Sequence, residues 1–429
     1  MTPNNRKVAI LACLSSLNPN YSIAGIVHDQ LDLLAKHENL VFITSDDFTD
    51  QHLVPKGVEI RYYTRSNDTM DPEKLDIGKF EQYTNATGIK LKELLKDCTH
   101  VIQHDLLFIH EYAFMNWSIR KCAELLPNLK WLHWQHSAPS RRPLDCAYPF
   151  TGCYMGMNNS TFVYLNRTDI PGVAQRYSIP ENQIALVHNF LDFDKMFRLH
   201  PLTKEIIQSQ NLYKADTICI YPTRLTEAKQ IDKAIQLIEQ LKVKGQEVRM
   251  IVCNSWSNGE QEIDYLKKLE SESFLSKEEL LFTSTFDSEW CKESEVDIKL
   301  GLPRAVVQDL LRLSDLFILP SISECCSMVM LEAAANKNLM ILNQDLWSLH
   351  EFGGQIMNNS TSKNALYMEF GSCTRPIANY SPSEEEWYAN KAQEILDYQN
   401  SNQAINFFKT VRKRHNPEWV YFNQIEPLL

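Results

Sequence analysis

Two carboxylates with seven residues between them, Glu324 and Glu332, are the part of this chain whose type and spacing best suit chemistry. They lie in Leu319-Pro320-Ser321-Ile322-Ser323-Glu324-Cys325-Cys326-Ser327-Met328-Val329-Met330-Leu331-Glu332-Ala333, which reads as strand, loop and helix. With the helix starting near Cys326 or Ser327, Glu324 stands in the loop at its mouth and Glu332 about 12 Å further along, at ~1.5 Å per residue. The unbonded N–H groups of Cys326, Ser327 and Met328 then offer an anion site between the two carboxylates. A sugar joined to a nucleoside diphosphate has that length and that order of groups.

Cations of the right kind precede this segment. Tyr221-Pro222-Thr223-Arg224-Leu225-Thr226-Glu227-Ala228-Lys229 follows an apolar run, and its Arg224 offers a two-pronged guanidinium where Lys229 offers a point charge. Together they could neutralise a diphosphate without a metal; a solvated loop pair is the plain alternative. Near the N-terminus, Ser22-Ile23-Ala24-Gly25-Ile26-Val27 follows the first apolar run and opens a helix. Gly25 there either lets backbone approach a ligand closely or serves a simple turn. Val101-Ile102-Gln103-His104-Asp105 and Trp131-Leu132-His133-Trp134-Gln135-His136 end two further runs. His133 and His136 have the spacing of a zinc pair, but no further ligands accompany them. Arg141 and Arg142 follow His136 and are candidates for contact with an acidic acceptor, with a solvated turn as the alternative.

The elements that must position these residues are short apolar runs alternating with amphipathic segments, the pattern of parallel sheets covered on both faces by helices. One series runs through Val8–Ala12, Leu40–Ile43, Glu59–Tyr63, Val101–Ile102, Trp131–Trp134, Thr161–Leu165 and Ile184–Val187. A second runs through Thr217–Tyr221, Val248–Val252, Leu280–Phe282, Leu316–Leu319 and Leu339–Leu342. Between its first two runs, Ile231, Ala234, Ile235, Ile238 and Leu241 form one apolar helical face that stops before Gly245. The fold class predicted is α/β, two Rossmann-like domains facing each other across a cleft. Residues 1–190 form the acceptor-side domain and 191–395 the nucleotide-sugar-binding domain; 396–429 form a helical tail expected to pack back on the first.

A net charge of −11 argues against a chain that coats nucleic acid or an anionic membrane, though a local basic patch could still meet such an acceptor. The eleven cysteines are odd in number and lack zinc-finger spacing, so reduced thiols in a cytoplasm are expected. The apolar stretch from Val8 to Leu14 is too short for a signal core and reads as a buried strand. No run of about 20 apolar residues suggests a transmembrane helix. A dinucleotide-dependent dehydrogenase is disfavoured because no G-x-G-x-x-G follows any of the runs.

With these residues in place, the chain resembles the retaining GT4-type glycosyltransferases of the GT-B fold, through the E-x7-E motif Glu324 to Glu332 and the R-x4-K segment Arg224 to Lys229. Val187-His188-Asn189-Phe190-Leu191-Asp192 is similar to the family's linker, with Phe190 in place of its glycine. The resemblance implies that Glu324 contacts the transferred sugar, Glu332 holds the ribose hydroxyls and His136 contacts the sugar. It also implies that Arg224 and Lys229 serve the diphosphate, with Gly25, Cys326, Ser327 and Met328 lining the donor. Asp192-Phe193-Asp194 mimics a metal-binding D-x-D but falls in the linker, so no metal and no cofactor beyond the nucleotide-sugar co-substrate is expected. The sequence departs from the family at Cys325-Cys326-Ser327, at Lys337 and Leu339, and in a longer loop over 286–302. The implied activity is transfer of a sugar to a hydroxyl acceptor with retention of configuration; the rival is an inactive binding or partner subunit of the same fold.

Overall fold

The computed structural model describes residues 6–17, 22–65, 75–136, 147–255, 259–286, 301–324, 327–352, 365–373, 380 and 383–429. The chain divides into two units, Met1–Asp192 with Pro417–Leu429, and Phe193–Asn416. The polar tail is therefore shared: residues 396–416 belong to the second unit and only the last segment to the first. The division near the predicted linker falls after Asp192.

The first unit is built on a parallel sheet of seven strands: β1 (Lys7–Leu11), β2 (Asn39–Ser45), β3 (Glu59–Tyr63), β4 (His100–His104), β5 (Lys130–Gln135), β6 (Ser160–Tyr164) and β7 (Ile184–Leu186), in the order β3-β2-β1-β4-β5-β6-β7. The central strands are buried almost along their length, as β1 and β4 show, because helices cover both faces. That is why β1 reads as a continuous apolar run, whereas β4 buries His100, Gln103 and His104 beside Val101 and Ile102. The C-terminal segment is docked here by side chains: the Tyr421 hydroxyl donates to Glu38 Oε1 at 2.7 Å, and His37 stacks on the Tyr421 ring at 4.0 Å.

The second unit repeats the plan with six strands: β8 (Thr217–Pro222), β9 (Val248–Cys253), β10 (Leu280–Phe282), β11 (Leu316–Leu319), β12 (Leu339–Asn343) and β13 (Leu366–Met368), in the order β10-β9-β8-β11-β12-β13, again parallel. The predicted helix spans Ile231–Val243 and buries Ile231, Ala234, Ile235, Ile238 and Leu241. Gly245 ends it at φ +86°, a left-handed stop that a glycine adopts without strain. The α/β architecture of two Rossmann-like domains is thus present in both sheets.

In each sheet, strand order reverses direction once, between β1 and β4 and between β8 and β11. Connections leave opposite faces at such a point, so a crevice opens outside the carboxyl ends of the two strands. The loops following β8 and β11 carry Arg224, Lys229 and Glu324; those following β1 and β4 precede the Gly25 helix and carry Asp105.

Candidate active site

In the second unit the switch point brings together residues that are 95 apart in the chain. The Lys229 ammonium lies 2.5 Å from Glu324 Oε1, with the side chains 26% and 16% exposed. Four hydrogen bonds fix this pairing. Tyr221, buried at the end of β8, donates its hydroxyl to the Lys229 carbonyl at 2.9 Å and accepts from the Ser321 hydroxyl at 2.9 Å. The Ile322 amide donates to the Ala228 carbonyl at 3.0 Å, joining the two loops through their backbones. The Ser348 hydroxyl donates to the Glu324 carbonyl at 2.6 Å from the far side. Burial pushes the Tyr221 phenol well above its ordinary range, so this anchor stays protonated.

Lys229 reaches Glu324 because of the turn that precedes it. Glu227–Lys229 form one tight 3₁₀ turn, and Gln230 follows in the left-handed region at φ +47° before the helix Ile231–Val243 begins. Arg224 is exposed, and its guanidinium has no partner among the described residues.

The helix after Glu324 is Met328–Ala335, starting one to two residues later than the spacing suggested. Ser327 is its N-cap, and its hydroxyl accepts from the Met330 amide at 3.3 Å, using one of the first-turn donors. With the helix starting at Met328, its first-turn amides without an acceptor among the described residues are those of Met328 and Val329. Cys326 lies outside those residues. Glu332 sits in the second turn, paired with Arg304 at 2.5 Å. Arg304 was missed in the sequence because nothing local marks it; the contact spans 28 residues.

In the first unit, the switch point holds a buried polar row on β4 and β5. Gln103, His104, Asp105, His133 and Gln135 are all at most 2% exposed. The Gln103 side-chain carbonyl accepts from the Leu106 amide at 2.7 Å, which turns its amide toward His133 Nδ1 at 3.0 Å. His133 is thereby an acceptor at Nδ1 and carries its proton on Nε2. His136 has other partners: its backbone amide donates to Asp105 Oδ1 at 2.8 Å, and its Nε2 meets His104 Nδ1 at 2.8 Å. The two histidines suggested by zinc spacing are thus held in different bonds. Among the described residues no three His, Cys, Asp or Glu side chains are grouped as metal ligands.

Burial holds His136 down to about 4, and burial with the Arg120 charge holds His133 to about 3. Burial and the neighbouring His136 keep His104 well below the ordinary range. All three rings are neutral near pH 7, so His136 acts there as a hydrogen-bonding group of fixed charge. Asp105 adopts φ +58°, a left-handed conformation unusual for a non-glycine, and its carboxylate holds the His136 backbone in return.

Gly25 lies inside the helix Ser22–Leu34, and a Cβ built there would meet no atom within 4 Å. No neighbouring protein atom therefore requires glycine at this position, and its place within the helix corrects the simple-turn alternative. Arg141 and Arg142 lie outside the described residues. Asp194 of the D-x-D accepts from the Tyr213 hydroxyl at 3.4 Å, inside the second unit.

Residues 203–345 match the family described as glycosyl transferases group 1, a span that contains Arg224, Lys229, Arg304, Glu324 and Glu332. The chain is an α/β protein of two Rossmann-like domains, and the matched span lies within the second of them. Solved structures similar to it include a glycosyltransferase from Rickettsia africae ESF-5, at 15% identity over 99% of this chain and 98% of that one, with a TM-score of 0.36. Anabaena Alr3699/HepE in complex with UDP and glucose is 13% identical over 99% of each chain, with a TM-score of 0.37. Sucrose-phosphate synthase from Thermosynechococcus elongatus is 13% identical over 97% of this chain and 96% of that one, with a TM-score of 0.34. Among curated proteins, none matches the chain. No helix among the described residues is long and apolar enough to cross a membrane.

Proposed function

We propose that this protein transfers a sugar from a nucleoside diphosphate sugar to a hydroxyl acceptor, with retention of anomeric configuration and without a metal. The observation that carries the reading is the Lys229–Glu324 pair at the switch point of the second unit, inside the matched segment. A strand-end cation beside a strand-end carboxylate gives one group for a leaving phosphate and one for a sugar hydroxyl. Retention and the GT4-type assignment rest on the E-x7-E resemblance.

In this reading the bond from the anomeric carbon to the β-phosphate oxygen breaks, the acceptor oxygen bonds to that carbon, and the acceptor proton passes to the departing phosphate. Arg224, Lys229 and the amides of Met328 and Val329 stabilise the charge that builds on the diphosphate. Glu324 orients the sugar and Glu332 the ribose, while His136 is assigned to a substrate hydroxyl. An inactive binding subunit would have no use for all four of Arg224, Lys229, Glu324 and Glu332, and their joint presence favours the enzyme. A cytoplasmic location is proposed from the cysteines, of which Cys13, Cys122 and Cys219 are buried thiols outside any disulfide among the described residues.

The division of labour between the carboxylates is tested by calorimetry with UDP and GDP. Glu332→Ala is expected to weaken binding roughly tenfold to a hundredfold, the equivalent of about 1.5–3 kcal/mol for hydrogen bonds to a charged group. Glu324→Ala is expected to bind the nucleotide as the parent does while turning over sugar slowly. Equal loss of affinity in both variants would contradict the assignment.

A further inference from the structure

We propose that Arg304 is a positioning residue of the nucleotide subsite: it pins one oxygen of Glu332 so that the other is presented to the ribose, and so sets the preference for ribose over deoxyribose. This rests on the reading of Glu332 as the ribose ligand given above.

The geometry is specific. Arg304 Nη2 meets Glu332 Oε1 at 2.5 Å, and no described residue donates to Oε2. The contact joins two helices, Arg304–Leu313 and Met328–Ala335, that flank β11 in the chain. Glu332 is largely covered, with its side chain 18% exposed, whereas that of Arg304 is 73% exposed.

Stability does not account for this arginine. The helix Arg304–Leu313 docks through Val306, Leu310, Leu311 and Leu313, all buried, and Arg304 adds nothing to that face. It occupies the first turn, where the helix dipole disfavours a positive charge. An ion pair with so exposed a partner contributes little to folding. What the pair does accomplish is local: it removes rotational freedom from a carboxylate.

The arrangement parallels the other half of the motif. Glu324 is held by Lys229 through Oε1, and Glu332 is held by Arg304 through Oε1. Each motif carboxylate thus has one oxygen fixed by a cation from a separate element. A ribose offers two adjacent hydroxyl donors, and a carboxylate fixed in this way meets them in a set orientation. A sugar lacking one hydroxyl leaves an acceptor oxygen without its donor, and that loss is felt most when the carboxylate cannot turn away.

The test uses the full chain and calorimetric titration with UDP, GDP and their 2′-deoxy and 3′-deoxy counterparts. The parent should bind ribonucleotides about tenfold more tightly than at least one deoxy form, as expected for one hydrogen bond to a charged group. Arg304→Ala should weaken ribonucleotide binding roughly threefold to tenfold and shrink that preference, with Arg304→Lys recovering part of both. Because the arginine acts through Glu332, the double variant should bind no more weakly than Glu332→Ala alone. An Arg304→Ala protein with unchanged affinity and preference would overturn the proposal, as would one that binds more tightly or whose effect adds to that of Glu332→Ala. A parent chain that binds no nucleoside diphosphate, or a Glu332→Ala variant that binds as the parent does, would overturn the ribose reading itself and this inference with it.

Discussion

Replacing Lys229 by alanine is expected to lower sugar-transfer turnover at least about tenfold, and replacing Arg224 to do the same by a different route. A nucleoside diphosphate leaves with more negative charge than it carried in the donor, and that charge grows only as the glycosidic bond breaks. A cation placed there stabilises the transition state more than the ground state, and 1.4 kcal/mol of lost stabilisation is already a factor of about ten. Lys229→Ala should be the more damaging change, because it also frees the part-buried Glu324 carboxylate that the ammonium holds at 2.5 Å. Arg224 is exposed and unpartnered among the described residues, so its loss should leave the fold intact and appear in turnover alone. The check is the rate of nucleoside diphosphate release at saturating donor, with circular dichroism to confirm folding. Rates within twofold of the parent for both variants would remove the cations from the mechanism.

The second large effect is on stability. Arg412 is fully buried in the second unit and grips Asp315 with two nitrogens at 2.8 and 3.0 Å. The same guanidinium donates to the carbonyls of Leu313 at 2.8 Å and Ala215 at 3.3 Å, and Asp315 Oδ2 also accepts from the Ile218 amide at 2.8 Å. One side chain thereby ties the helix Gln403–Arg414 to the starts of β8 and β11, at the end of the sheet opposite the site. Arg412→Ala leaves a charged carboxylate buried without its partner, which costs about 3–5 kcal/mol. Urea unfolding should show a clearly lower midpoint for the transition of the second unit. Replacing both partners by apolar residues of similar volume should cost less than either single change, since no charge is then stranded.

Much of this architecture was legible because parallel strands covered on both faces are mostly apolar along their length. Val8–Ala12 and Leu316–Leu319 could hardly be anything else. The strand that escaped notice, β13, has three residues and too little pattern to see. Arg224, Lys229, Glu324 and Glu332 were visible because each follows a strand end or lies on the helix beyond it, at fixed spacing. Their partners were not. Arg304 reaches across 28 residues and Arg412 across 97, and each looks locally like an ordinary solvated charge on an amphipathic helix. The tail misled for the same reason: residues 396–429 read as one polar helical stretch, yet Arg412 commits the first part to the second unit and Tyr421 the last part to the first. Of the two readings of Gly25, a simple turn is set aside because the helix has already begun at Ser22.

The most direct test of the central claim is nucleoside diphosphate release from a panel of nucleotide sugars by the full chain, after exhaustive EDTA treatment and with or without added Mg²⁺ or Mn²⁺. We expect at least one nucleotide sugar to be consumed at the same rate with and without metal, and at least about tenfold more slowly by Lys229→Ala. Turnover that vanishes with EDTA and returns only with metal would contradict the cation-based mechanism and bring Asp192 and Asp194 back into consideration. Failure to consume any nucleotide sugar under either condition would contradict the enzyme reading altogether and favour a binding subunit.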